Sequence, residues 1–212
     1  MTDEKKKSIK LKYETSIGEL QGFISLLQPS KDYRTYGTNV LIPKQEGEAL
    51  AEQLKKMRQE QFILNGRKGE LAKLPCEPYC KQDKETGEKT PDPQERYVIR
   101  TKLPEKNSRG ELNLKPLIVN AKAQPITGNV KIGEGTKAIV HVCFSGYAVG
   151  GKVGIKAQLL GVQIIELVEY ESATSISLSD FKVQEGFDGV GEDFTDNTPV
   201  AEAVEETEEE EF

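Results

Sequence analysis

The chain has 212 residues, 36% of them hydrophobic and 30% charged, with no Trp and a formal net charge of −6. That length suits one domain with embellishments, and the low apolar share predicts a modest core with large polar excursions. No apolar run approaches the roughly 18–20 residues that span a bilayer, and the charged Met1–Lys7 lacks the apolar region of a signal peptide; the expectation is a cytoplasmic protein whose three cysteines are reduced.

The net charge hides a segregation. Glu185–Phe212 carries 12 acidic residues and neither Lys nor Arg. Met1–Gln184 therefore holds all 29 basic residues against the other 23 of the 35 acidic ones, a balance of +6. A basic body with an acidic tail points to a polyanionic partner for the body and a separate task for the tail.

In chain order, residues 1–12 read as a Lys-rich, mobile arm. Ser16–Leu27 predicts a strand ended by Pro29, and Tyr33–Ile42 a second strand stopped at Pro43. Glu46–Phe62 reads as a helix, because Leu50, Leu54 and Met57 recur at i, i+4, i+7 and Asn65-Gly66 supplies the stop. Arg67–Glu95 is rich in Pro, Gly and Lys, has little periodicity, and reads as a surface excursion. Glu95–Leu103 predicts a strand with Tyr97, Ile99 and Thr101 on one face. Leu112–Ala123 predicts another, with Leu117, Val119 and Ala121 together, and Gln124–Gly135 is a connection.

Lys137–Glu169 is the longest apolar, β-branched stretch, split at Ala148–Gly151 into two antiparallel strands. Alternation puts Ala138, Val140, Val142 and Phe144 on one side and Lys137, His141, Cys143 and Tyr147 on the other. In the second strand Val153, Ile155, Ala157 and Leu159 oppose Lys152, Lys156 and Gln158. Gly161 marks a bulge or a strand end covered on both faces. Beyond Tyr170 the pattern fades, and the acidic end is expected to be disordered. The whole reads as a mainly β protein of about five to seven strands, a small barrel with one inserted helix and long loops. The domain limits are an arm at 1–12, a body at 13–184 and an acidic tail at 185–212.

Catalytic signatures are weak. His141 is the sole histidine, there is no Walker loop, and the glycines of Gly146–Gly154 sit in a hairpin, not between a strand and a helix. Cys76 and Cys80 form a C-x3-C whose only further soft candidates, Cys143 and His141, lie mid-strand elsewhere, so they read as ordinary thiols with no metal and no cofactor.

Cations and aromatics carry the better signal. Tyr33, Arg34, Tyr36 and Lys44 lie on or near the second strand, and Arg96, Arg100 and Lys102 on the third. Lys122, Lys137, Tyr147, Lys152 and Lys156 follow. Cations track phosphates and flat side chains stack on bases, which is what a single strand of nucleic acid requires. Phe144 and Tyr97 fall on the inward phase and read as core.

The tail ends in Glu208, Glu209, Glu210, Glu211 and a lone terminal Phe212. With the segment FSGYAVGGKVGIKAQLLGVQII at Phe144–Ile165, it resembles the tailed-phage single-stranded DNA-binding proteins of the OB-fold type. The resemblance covers most of the chain and finds no motif in Arg67–Glu95. It implies an OB-fold-like five-stranded barrel in the host cytoplasm that coats single-stranded DNA in replication, recombination and repair. It also implies that Tyr147, Lys152 and Lys156 touch DNA. The Glu208–Phe212 motif would contact replication proteins such as a polymerase or helicase–primase. Membrane is not implied, and a homodimer is compatible. Two other readings stand beside it: a metal-dependent nuclease using Asp180, Glu185 and Asp188, and an adaptor whose acidic tail mimics nucleic acid.

Overall fold

The structure is a computed structural model and describes residues 9–83, 86–107, 109–127 and 130–169. Its elements are β1 (Lys10–Glu14), β2 (Gly18–Ser25), β3 (Thr35–Ile42), α1 (Lys44–Leu64), β4 (Glu70–Leu71), β5 (Cys76–Pro78), β6 (Cys80–Gln82), β7 (Lys89–Pro91), β8 (Tyr97–Pro104), β9 (Leu117–Val119), β10 (Lys137–Val149) and β11 (Lys152–Glu166).

The longest ladder is β10 against β11, antiparallel from Lys137↔Glu166 to Val149↔Lys152. Gly150 and Gly151 turn it at φ +59° and +75°, a pair of left-handed positions that only glycine adopts without strain. Between His141↔Gly161 and Val142↔Leu159 the register slips, so Leu160 is the extra residue of a bulge at the expected glycine. Five strands follow one another by antiparallel hydrogen bonding in the order β11, β10, β2, β3, β8. β8 and β11 come close without pairing, so the barrel stays open along that seam. A three-strand meander followed by a hairpin that returns to its first strand is the OB arrangement.

The core is the inward phase of these strands. Leu20, Val40, Ile99, Val140, Val142, Phe144 and Leu159 have no solvent exposure, and full burial of one such side chain is worth roughly 1.5–3 kcal/mol. Helix α1 buries the predicted stripe of Leu50, Leu54 and Met57 against β5, β8, β10 and β11. Gly47 lets it approach: a Cβ there would lie 2.2 Å from Cγ of Tyr97. Glu46 in its first turn accepts a hydrogen bond from the Tyr13 hydroxyl at 2.8 Å and another from Ser16.

Three expectations need correction. Lys10–Lys12, expected in the mobile arm, are strand residues, because Lys10–Glu14 forms β1 along β10, with Leu11↔Phe144 and Tyr13↔Val142. The excursion holds short strands: β5 extends the sheet beyond β8, β4 runs parallel to β11, and β6 and β7 form a separate ribbon. The stretch from Leu112 to Ala123 is strand only over β9, which runs parallel to β11. There Ile118 is buried, while Leu117 is 62% exposed. Leu112 and Leu114 lie in the approach and are exposed.

Candidate nucleic-acid interface

The outward phases of the strands gather the chemistry-bearing side chains into two surfaces. The first is the outer face of β2, β3 and β8 with the β2–β3 loop. Ser25, Gly37 and Lys102 share one row, and Gln21, Asn39 and Arg100 the next. A bulge at Gly22–Phe23 throws the Phe23 ring over Gly37, where it stays 41% exposed. Tyr33, in the loop just ahead of β3, is 79% exposed. This face therefore offers the exposed Phe23 ring near Lys102, with Tyr33 exposed in the adjoining β2–β3 loop, and Lys102 has no carboxylate partner among the described residues.

The second surface is the outer face of β1, β10 and β11. Lys10, Ser145 and Lys156 share a row, and Lys12, Cys143 and Gln158 the next. The half-buried Tyr147 lies opposite Gly154, whose missing Cβ leaves room for the ring: an added Cβ would lie 2.7 Å from the Tyr147 hydroxyl oxygen. Lys152 continues this phase toward the turn. Near the bulge, His141 Nδ1 lies 3.6 Å from Glu14.

Several predicted contacts are already engaged with carboxylates. Arg34 pairs with Glu105 at 2.7 Å, Lys44 with Glu95 at 2.7 Å, and Lys137 with Glu166 at 2.6 Å. Arg100 pairs with Glu77 of β5. Arg96 holds Asp92 at 2.9 Å and Glu19 at 2.9 Å, and its hydrogen bonds keep the Asp92 carboxyl below its ordinary pKa. These cations are already paired with carboxylates, whereas Lys102, Lys152 and Lys156 have no carboxylate partner among the described residues. Lys44, Arg96 and Lys137 do converge on one shallow hollow of about 340 Å³ with Glu19 and Pro43.

Tyr36 is corrected as a contact, and Lys122 only in its placement on a strand. Tyr36 is 3% exposed and belongs to the core; it shares its phase with Val40 and Ile42, and burial raises its phenol pKa. Lys122 is exposed but lies in the turn after β9, where its N–H donates to the Asn120 side chain at 2.9 Å. Phe144 is fully buried as expected, and Tyr97 is half-buried against α1. The sequence reading missed Phe23, Lys10 and Lys12. The alternation Lys10-Leu11-Lys12-Tyr13-Glu14 carried a strand signal for the lysines; the bulge that turns Phe23 outward left none. Glu208–Phe212 and Asp180, Glu185 and Asp188 lie outside the described residues.

The fold defines a class: a partly open OB-type barrel with an inserted helix. No protein-family model and no curated protein matches the chain. Among solved structures it is similar to gp2.5, a single-stranded DNA-binding protein encoded by bacteriophage T7, with TM-score 0.56 and 16% identity over 84% of this chain and 98% of that one. It is also similar to the single-stranded DNA-binding protein from bacteriophage Enc34, with TM-score 0.50 and 15% identity over 80% of this chain and 88% of that one. At these identities the likeness is one of fold.

Proposed function

We propose that the chain is a non-catalytic, sequence-nonspecific single-stranded DNA-binding protein. The observation that carries this reading is the exposed Phe23 ring near Lys102, a lysine without a carboxylate partner among the described residues, together with the exposed Tyr33 in the adjoining β2–β3 loop. They stand on the strands and loop that OB folds use to bind oligonucleotides. Bases stack on the rings, and Lys102 beside them neutralises phosphate. The similar fold of two phage proteins named for single-stranded DNA binding supports the same reading. The setting that follows is phage DNA replication, recombination and repair in the host cytoplasm. There the acidic Glu208–Phe212 end recruits replication proteins, and no cofactor is needed.

The test is fluorescence anisotropy of a labelled oligonucleotide across a salt series, with a parallel incubation in Mg²⁺. Each neutralised phosphate releases about 0.7 counterions from a single strand, so affinity is expected to fall steeply with salt. Salt-independent affinity, or cleavage of the oligonucleotide, overturns the reading.

A further inference from the structure

The lysines of the β1–β10–β11 face differ from most of the predicted contacts. Lys10, Lys12, Lys152 and Lys156 are all exposed, and none has a carboxylate partner among the described residues. Three of them are arranged by the ladder. Lys10 and Lys12 stand on one strand with outward side chains two residues apart, about 7 Å, and Lys156 lies two strands from Lys10, about 10 Å away. Lys152 continues the same phase along β11. Strands fix these spacings whether or not a ligand is present, so the cations are held near one another against their mutual repulsion. An open groove of about 690 Å³ continues this face, with Lys12 on one wall, Leu117 on the other, and His141 and Leu160 between them. Glu14, 3.6 Å from His141 Nδ1, also lines it, so phosphates belong on the lysine side and sugar or base edges against Leu117 and Leu160. Phe23 and Lys102 are on other strands and Tyr33 is in the β2–β3 loop, and among the described residues only the short contact of β2 with β10 at Lys137 and Ala138 links the two surfaces in the sheet.

We propose that the outer face of β1, β10 and β11 is a second nucleic-acid surface that holds a separate single-stranded segment mainly by its phosphates, so that one protomer can bring two strand segments together. This rests on the single-strand reading of the first face. The second surface carries four lysines without a carboxylate partner among the described residues, whereas around the first face Arg34, Arg96 and Arg100 are paired with acidic side chains of the protein itself and Lys102 is not.

The test uses the full chain with two non-complementary oligonucleotides, one carrying a donor dye and the other an acceptor, at low salt. Energy transfer reports two strands held together, and anisotropy of either oligonucleotide alone reports ordinary binding. The expected result is transfer with the wild-type protein and a tenfold or greater loss of it in Lys10→Ala/Lys12→Ala/Lys152→Ala/Lys156→Ala. Single-oligonucleotide affinity in that variant should change less than about threefold. The corresponding fourfold Lys→Arg variant should keep the transfer, which separates lost charge from lost fold. Transfer that persists in the Ala variant means that a second copy supplies the second strand through its first face, and overturns the proposal. Wild-type protein that binds one oligonucleotide but gives no transfer also overturns it while leaving the single-strand reading intact. Wild-type protein that binds neither oligonucleotide overturns both.

Discussion

Phe23 lies over Gly37 at the centre of the β2–β3–β8 face. A Cβ added to Gly37 would come within 3.4 Å of Phe23 Cε1 and 2.6 Å of the Thr101 carbonyl oxygen. The glycine thus seats the ring and keeps β3 and β8 in register, so the two positions are expected to respond differently. Phe23→Ala removes a partly exposed stacking surface and should weaken oligonucleotide binding by roughly 1–3 kcal/mol per base lost, with little change in melting temperature. Gly37→Ala presses on backbone and should lower the melting temperature as well. Anisotropy and thermal melting on both variants check this; an unweakened Phe23→Ala removes the ring from the binding face.

Tyr33 makes a cleaner case because it is 79% exposed and, among the described residues, only its backbone carbonyl is engaged, by the Thr35 hydroxyl. Tyr33→Ala should cost binding about 1–3 kcal/mol and leave stability unchanged. Tyr33→Phe should bind as wild type, since stacking needs the ring and not the hydroxyl. A Phe variant as weak as the Ala variant would point to hydrogen bonding instead.

The Tyr97 ring occupies the space beside Gly47, so Gly47→Ala forces α1 away from β8. Alanine ordinarily favours a helix, yet here overpacking should dominate and destabilise the protein by about 1–3 kcal/mol. Urea unfolding measures it; a stabilised variant would mean that α1 moves freely on the sheet.

Cys76 predicts the response to alkali. Burial first, and then the charges of Glu46 and Glu77, push its thiol up from 9.0 to about 12. The folded state keeps a proton that the unfolded state loses, so its contribution to stability is full below pH 9 and declines between pH 9 and about 12. Cys76→Ala should flatten the stability profile in that window. At neutral pH the exposed Cys80 should react first with a thiol reagent, and Cys76 only on unfolding.

Charge segregation sets the last expectation. Twelve acidic residues are tethered to a body with a balance of +6, at an effective concentration on the order of millimolar. Deleting Val200–Phe212 should tighten oligonucleotide binding, most at low salt where screening is weakest, and abolish capture of a cognate polymerase or helicase. Replacing Phe212 alone should impair that capture more than it alters DNA affinity. Equal DNA affinities at two salt concentrations for full-length and truncated protein reject competition by the tail.

The sequence alone determined what depends on periodicity and on neighbours in the chain. Alternation separated Val140, Val142 and Phe144 from Lys137, His141 and Tyr147, and the two glycines after Val149 fixed the hairpin. The helical stripe of Leu50, Leu54 and Met57 placed α1 within two residues at either end. The same alternation, followed back from Ile42 through Val40, carried the signal that Tyr36 is core, which its reading as a nucleic-acid contact overlooked. Tertiary structure decided what depends on partners distant in sequence. Lys10 and Lys12 join a sheet only because β10 offers its free edge, and Arg100 is neutralised only because β5 folds back beside β8. Phe23 faces outward because a bulge shifts its strand, and which lysines remain unpaired depends on carboxylates tens of residues away. A side chain's phase along a strand is a local property; its electrostatic surroundings are set by the fold.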